Sequence, residues 1–126
     1  TLFPYTTLFR SVTIGVGAAD PIGLARIIRA WPNWRGPQTA KRVLVVNRVR
    51  SRVLGVQPAV QANRMCRQFL NVTPFATLPD DPKAADLALA RATPLCSAAP
   101  RSALRSAIAA CASQLAPMLA DDSSVS

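Results

Sequence analysis

Four apolar residues in a row, Val43-Leu44-Val45-Val46, stand between Arg42 and Asn47. A strand with one wet face alternates apolar and polar side chains, and this run does not. It is also too short and too β-branched to suggest a helix. Residues 42–47 are therefore predicted to form a strand buried on both faces, the condition of a strand inside a parallel sheet covered by helices. The rest of the chain has to be compatible with such a sheet.

Two further short runs qualify as strands. Residues 12–17 (VTIGVG) are β-branched and bounded by glycine, and residues 73–78 (TPFATL) are placed near a sheet edge by Pro74. Helical patterns lie between them. Asp20-Pro21 is a capping residue followed by the residue favoured in a first helical turn. It opens a helix over residues 21–31 with Leu24, Ile27, Ile28 and Trp31 on one stripe, ended by Pro32. Residues 32–41 form a loop rich in breakers, and residues 48–55 a basic loop. A second helix is expected over residues 58–70, with Ala59, Ala62, Cys66, Phe69 and Leu70 turned inward. Asp81-Pro82 repeats the capping signal and opens a helix over residues 82–91. Residues 93–99 connect it to a last helix over 101–119, whose Leu104, Ile108, Cys111, Leu115 and Met118 recur at spacings of four and three. Residues 120–126 read as a disordered polar tail. The order β-α-β-α-β-α-α predicts an α/β fold with three layers around a parallel sheet.

Length and composition fit one modest core, with 126 residues of which 50% are hydrophobic. No apolar run approaches the roughly 18–20 residues of a membrane span, because Arg105, Ser106, Ser113 and Gln114 interrupt residues 103–119. The net charge is +9. Such a balance favours phosphates and acidic surfaces. A chain rich in arginine and alanine and devoid of glutamate and histidine also suits a GC-rich genome, so the charge by itself assigns no partner. Cys66, Cys96 and Cys111 are odd in number, widely spaced and without histidine neighbours. They are expected as reduced, buried thiols in a cytoplasmic protein and not as a metal site.

Residues 1–11 (TLFPYTTLFRS) resemble the in-frame translation of a sequencing-library adapter at all eleven positions. They are set aside from fold reasoning as a fusion scar would be. The expectation is an adapter-derived artefact over residues 1–11, a domain portion over 12–119, and a natural protein that continues upstream of Val12.

A phosphate-gripping loop needs a glycine-rich turn followed by lysine. The two lysines, Lys41 and Lys83, do not follow glycine. The segment Gly15-Val16-Gly17 ahead of Asp20 offers the start of a dinucleotide fingerprint, but Asp20 stands where a small residue should let a pyrophosphate approach. A strand end with a helix cap explains it better. More informative are Val45-Val46-Asn47-Arg48 and Leu78-Pro79-Asp80-Asp81, both placed just past the C-terminal ends of strands, where open parallel sheets bind ligands.

With these two motifs, followed by Asp86, Ala90 and Pro94-Leu95, the chain from Val12 to about Leu119 resembles the C-terminal half of MinD/ParA-like P-loop ATPases. These have a SIMIBI-type three-layer fold. The segment Ala99-Pro100-Arg101-Ser102 resembles the CpaE-like, actinobacterial branch; Thr93 departs from the family, which often has glycine there. The resemblance implies that Asn47, Arg48, Pro79 and Asp80 line a nucleotide-base pocket. It implies ATP and Mg in a full-length, homodimeric parent that positions chromosome, septum or pilus machinery. It also implies that the N-terminal strands, the phosphate loop and the switch residues are missing from this chain, which alone should not hydrolyse ATP and should aggregate readily. A competing reading is a small basic module that binds DNA or an acidic partner through Arg48, Arg50 and Arg52. Under a third, Asn47 merely caps a turn, Asp80 is structural and the arginines are a solvated loop.

Overall fold

The computed structural model describes residues 12–33, 41–50 and 57–123. Residues 1–11, the loop 34–40, Arg52 and residues 124–126, to which several expectations refer, lie outside that set. The elements are β1 (Val12–Ala18), α1 (Pro21–Ala30), a 3₁₀ turn (Trp31–Asn33), β2 (Lys41–Val49), α2 (Pro58–Leu70), β3 (Ala76–Pro79), α3 (Pro82–Arg91), the short α4 (Leu95–Ala98) and α5 (Ala103–Ser123). The strands form one parallel sheet in the order β1-β2-β3. The chain is thus a mixed α/β protein with a small parallel sheet, as the unbroken apolar run demanded. Among the described residues no helix is long and apolar enough to cross a membrane.

β2 is central, and its Val43, Leu44, Val45 and Val46 are all buried. Leu44 and Val46 share a core with Leu24 and Ile27 of α1, with Trp31 of the 3₁₀ turn and with Ala62 and Cys66 of α2. Both helices therefore lie on one face of the sheet. Each large aliphatic side chain buried there contributes about 1.5–3 kcal/mol. Val43 and Val45 point the other way and are also buried, and α5 lies against β3. The register sets Ile14 beside Val43 and Val16 beside Val45. Ile14 and Val16 are nevertheless 42% and 62% exposed, so cover on this face stops short of β1.

Gly15 and Gly17 bring α1 close to β1. A Cβ on Gly15 would stand 2.9 Å from the Trp31 ring, and one on Gly17 would overlap Ile27. The glycines serve helix–strand packing. Asp20 accepts a hydrogen bond from the Gly23 N–H at 2.6 Å, which makes it the cap of α1 and places a carboxylate where an anion would have to sit. The capping pair at α3 behaves alike, with Asp81 accepting from the Ala84 N–H at 3.3 Å.

Several boundaries and faces differ from the sequence reading. β2 runs from Lys41 to Val49 instead of ending at Asn47. β3 starts later, because Pro74 has no N–H to donate; the first ladder bond comes from the Phe75 N–H to the Leu44 carbonyl at 2.7 Å. α5 starts at Ala103, since Ser102 is its cap and its hydroxyl accepts from the Arg105 N–H at 3.2 Å. It extends to Ser123 because continuing an existing helix adds a hydrogen bond per residue without a new nucleus. The inward faces are narrower than predicted. In α2 the core takes Ala62 and Cys66 with Met65 and Leu70 beside them, while Ala59 is exposed and Phe69 is 55% exposed. In α5 Ile108 is 43% exposed and Leu104, Cys111, Leu115 and Met118 are half-buried. A helix on a thin sheet has too little surface opposite it to bury a full stripe.

Candidate functional site

At the C-terminal end of β2 the ladder with β3 slips. Val46 pairs with Thr77 and Val49 with Pro79, so three steps on β2 face two on β3. The extra residue makes a β-bulge at Asn47-Arg48. Arg48 takes up the irregularity with φ 58°, a left-handed conformation that side-chain-bearing residues avoid. Asn47 holds the bulge from two sides. Its carbonyl accepts from the Ala19 N–H at 2.8 Å, tying the exit of β1 to β2, and its Oδ1 accepts from the Arg48 N–H at 2.8 Å.

The exit of β3 meets this bulge. The Asp80 N–H donates to the Val49 carbonyl at 3.2 Å. The Asp80 carboxylate, 16% exposed, lies between two guanidinium groups: Arg48 Nε is 3.7 Å from Oδ1, and Arg50 Nε is 3.5 Å from Oδ2. Arg48 and Arg50 keep 58% and 41% of their side-chain surface in solvent, so either pair alone is worth about 0–1 kcal/mol. Both separations exceed the roughly 2.7–2.9 Å of a charge-assisted hydrogen bond. Arg50 Nε is buried and has no hydrogen-bond partner among the described residues.

The structure thus brings Asn47, Arg48, Pro79 and Asp80 to one rim of the sheet. The first motif lies inside β2, which the bulge lengthens to Val49, whereas the second straddles the end of β3, with Leu78-Pro79 inside it and Asp80-Asp81 past it. The sequence reading missed that Asp80 engages Arg48 and Arg50 together. The available signal was an alternating arginine pair at the end of one parallel strand and a lone acid at the end of its neighbour.

Two crevices, of about 110 and 270 Å³, lie elsewhere, between β1 and α1. They are apolar spaces left by Gly15, Gly17 and Gly23 beside Trp31, Ile27 and Ala30, and neither contains a rim residue.

The carboxylate of the rim, Asp80, is engaged by two arginines, and the described residues contain no group of three or more acidic, histidine or cysteine side chains placed to hold a metal. Lys41 begins β2 at the opposite end of the sheet, and Lys83 is exposed in the first turn of α3. The Asn47 side chain carries an amide donor, whereas Pro79 has no N–H and the Asp80 N–H is already donated to the Val49 carbonyl. The sequence matches no protein-family model and no curated protein.

Proposed function

We propose that this chain is the C-terminal portion of a MinD/ParA-like ATP-binding domain, carrying the base side of the nucleotide pocket and no hydrolytic machinery of its own. The observation that carries this reading is the meeting of Asn47 with Pro79-Asp80 at the C-terminal rim of a parallel sheet, across a bulge centred on Arg48. Adjacent strands deliver both motifs to the place where α/β sheets take ligands. The outer edge of β1 supports the same reading. Ile14 and Val16 are exposed there, and no charged residue or proline protects the strand, as solitary edges usually require. Further strands supplied by an upstream segment would cover both features.

Phosphoryl transfer needs groups that position phosphates, metal and water. The rim supplies none of them, so the 126-residue chain should bind ATP weakly and turn none over. The deciding experiment is to recover the genomic sequence upstream of codon 12 and express the joined polypeptide. The expected result is a glycine-rich loop ending in Gly-Lys-Ser/Thr, ATP binding by the joined protein, and a loss of about tenfold in affinity on Asn47→Ala. An upstream sequence without such a loop, or ATP hydrolysis by the present chain alone, would refute the proposal.

A further inference from the structure

We propose that Arg48 and Arg50, at the bulged end of β2, form a binding site for a small phosphate-type anion, with Asp80 holding the two guanidinium groups together while no anion is bound. The backbone provides the first support. Arg48 occupies a left-handed conformation at φ 58°, where a residue with a Cβ is strained. Strain of this kind persists where surrounding structure enforces it, and it concentrates at binding sites.

The second support is the mismatch between the two cations and their one acid. Asp80 meets each arginine through a single Nε, at 3.7 and 3.5 Å, and Arg50 Nε makes no hydrogen bond among the described residues although it is buried. A guanidinium offers paired donors in a rigid fork. One carboxylate with two oxygens does not fill two forks. A tetrahedral anion has more acceptor oxygens, spread in three dimensions, and can accept from both forks at once. Two arginines against one aspartate also leave an unbalanced positive charge, since Asp81 is turned to the Ala84 N–H as the cap of α3. The uncompensated charge is that of one cation, which a singly charged phosphate oxyanion balances while offering more acceptor oxygens than a second carboxylate would.

Location is the third support. The cluster lies at the C-terminal ends of β2 and β3, with Arg48 in the last residues of β2 and Arg50 and Asp80 just past their strands, ahead of the first turn of α3, whose dipole favours negative charge. This site requires no contact to a nucleobase and no further strands, so it stands or falls apart from the nucleotide reading.

The test is calorimetric titration of the full chain with inorganic phosphate against chloride at equal ionic strength. Phosphate is expected to bind with a Kd of about 1 mM or tighter. Arg50→Gln combined with Arg48→Gly should weaken binding at least tenfold, by about the worth of two charge-assisted contacts. Glycine relieves the positive φ, so loss of binding in that variant does not reflect a damaged fold. Asp80→Asn, which removes the competing charge, should tighten binding about fivefold. Arg64→Ala with Arg67→Ala, exposed on α2, removes the same charge elsewhere and should leave Kd unchanged. Absence of phosphate binding, weaker binding in Asp80→Asn, or an equal loss in the α2 variant would overturn the proposal.

Discussion

Ile27 fills the space that a Cβ on Gly17 would occupy. The two residues come from different elements, β1 and α1, and their fit sets how closely the first helix approaches the sheet. Ile27 is 8% exposed and belongs to the core cluster with Leu24 and Leu44, so moving its side chain aside disturbs that packing. Gly17→Ala is therefore expected to destabilise the fold by about 1–3 kcal/mol. In an Ile27→Ala background the added methyl meets open space, and its cost should largely disappear. A double-mutant cycle by urea denaturation checks both. Equal costs in the two backgrounds would show that the close approach is not what requires glycine.

Ala92 caps the C-terminus of α3 at φ 50°. The Thr93 N–H reaches back to the Ala88 carbonyl at 3.1 Å, which fixes the left-handed turn. Alanine has no compensation for this conformation, and glycine has no Cβ to strain. Ala92→Gly should stabilise the chain by about 1 kcal/mol, read as a higher urea midpoint. Ala90→Gly, in the regular helix just before, should destabilise by a similar amount of about 1 kcal/mol.

Arg42 clamps the end of α1 to the start of β2. Its guanidinium carbon stands 4.7 Å from the centre of the Trp31 ring, and Nη1 donates to the Trp31 carbonyl at 3.3 Å. The contact is partly exposed, so Arg42→Ala should cost about 1 kcal/mol. Arg42→Lys keeps a cation but loses the planar fork, and should recover only part. Thermal denaturation of the variants measures the difference. No change in either would place Arg42 in solvent.

Cys66 is 2% exposed in the core under α2, and burial pushes its thiol pKa up. In the unfolded chain it would ionise at an ordinary thiol pKa. Its contribution to stability is therefore present in full below that ordinary value and is lost as pH rises through the higher folded value. Stability should be insensitive to this group at neutral pH and fall at alkaline pH, and Cys66→Ala should remove that part of the fall. The exposed Cys96 should react with a thiol reagent at once, and Cys66 only as the fold opens.

The extent to which the fold was legible differs from element to element. Val43-Leu44-Val45-Val46 specified a strand covered on both faces because burial of consecutive side chains is a property of the run itself. Asp20-Pro21 and Asp81-Pro82 specified two helix starts because a cap acts on a backbone N–H three residues away. Both motifs were legible as lying at strand ends on one rim of the sheet, while the adjacency of their strands came from the tertiary structure. Phe69 and Ile108 were assigned to buried faces that are partly open, since periodicity shows which residues share a face and not how much surface lies opposite it.

By itself, then, the sequence determined the order of the strands and long helices, the caps at Asp20 and Asp81 and the α/β class, whereas the short α4 inside the expected connection 93–99 and the cap at Ser102 were not read from it. Only the tertiary structure decided the bulge at Asn47-Arg48, the seating of Asp80 between Arg48 and Arg50, and the glycine spaces that Ile27 and Trp31 occupy. Each depends on residues far apart in the chain meeting at a fixed register. No local pattern encodes that distance, because register is set by the packing of the whole sheet against its helices.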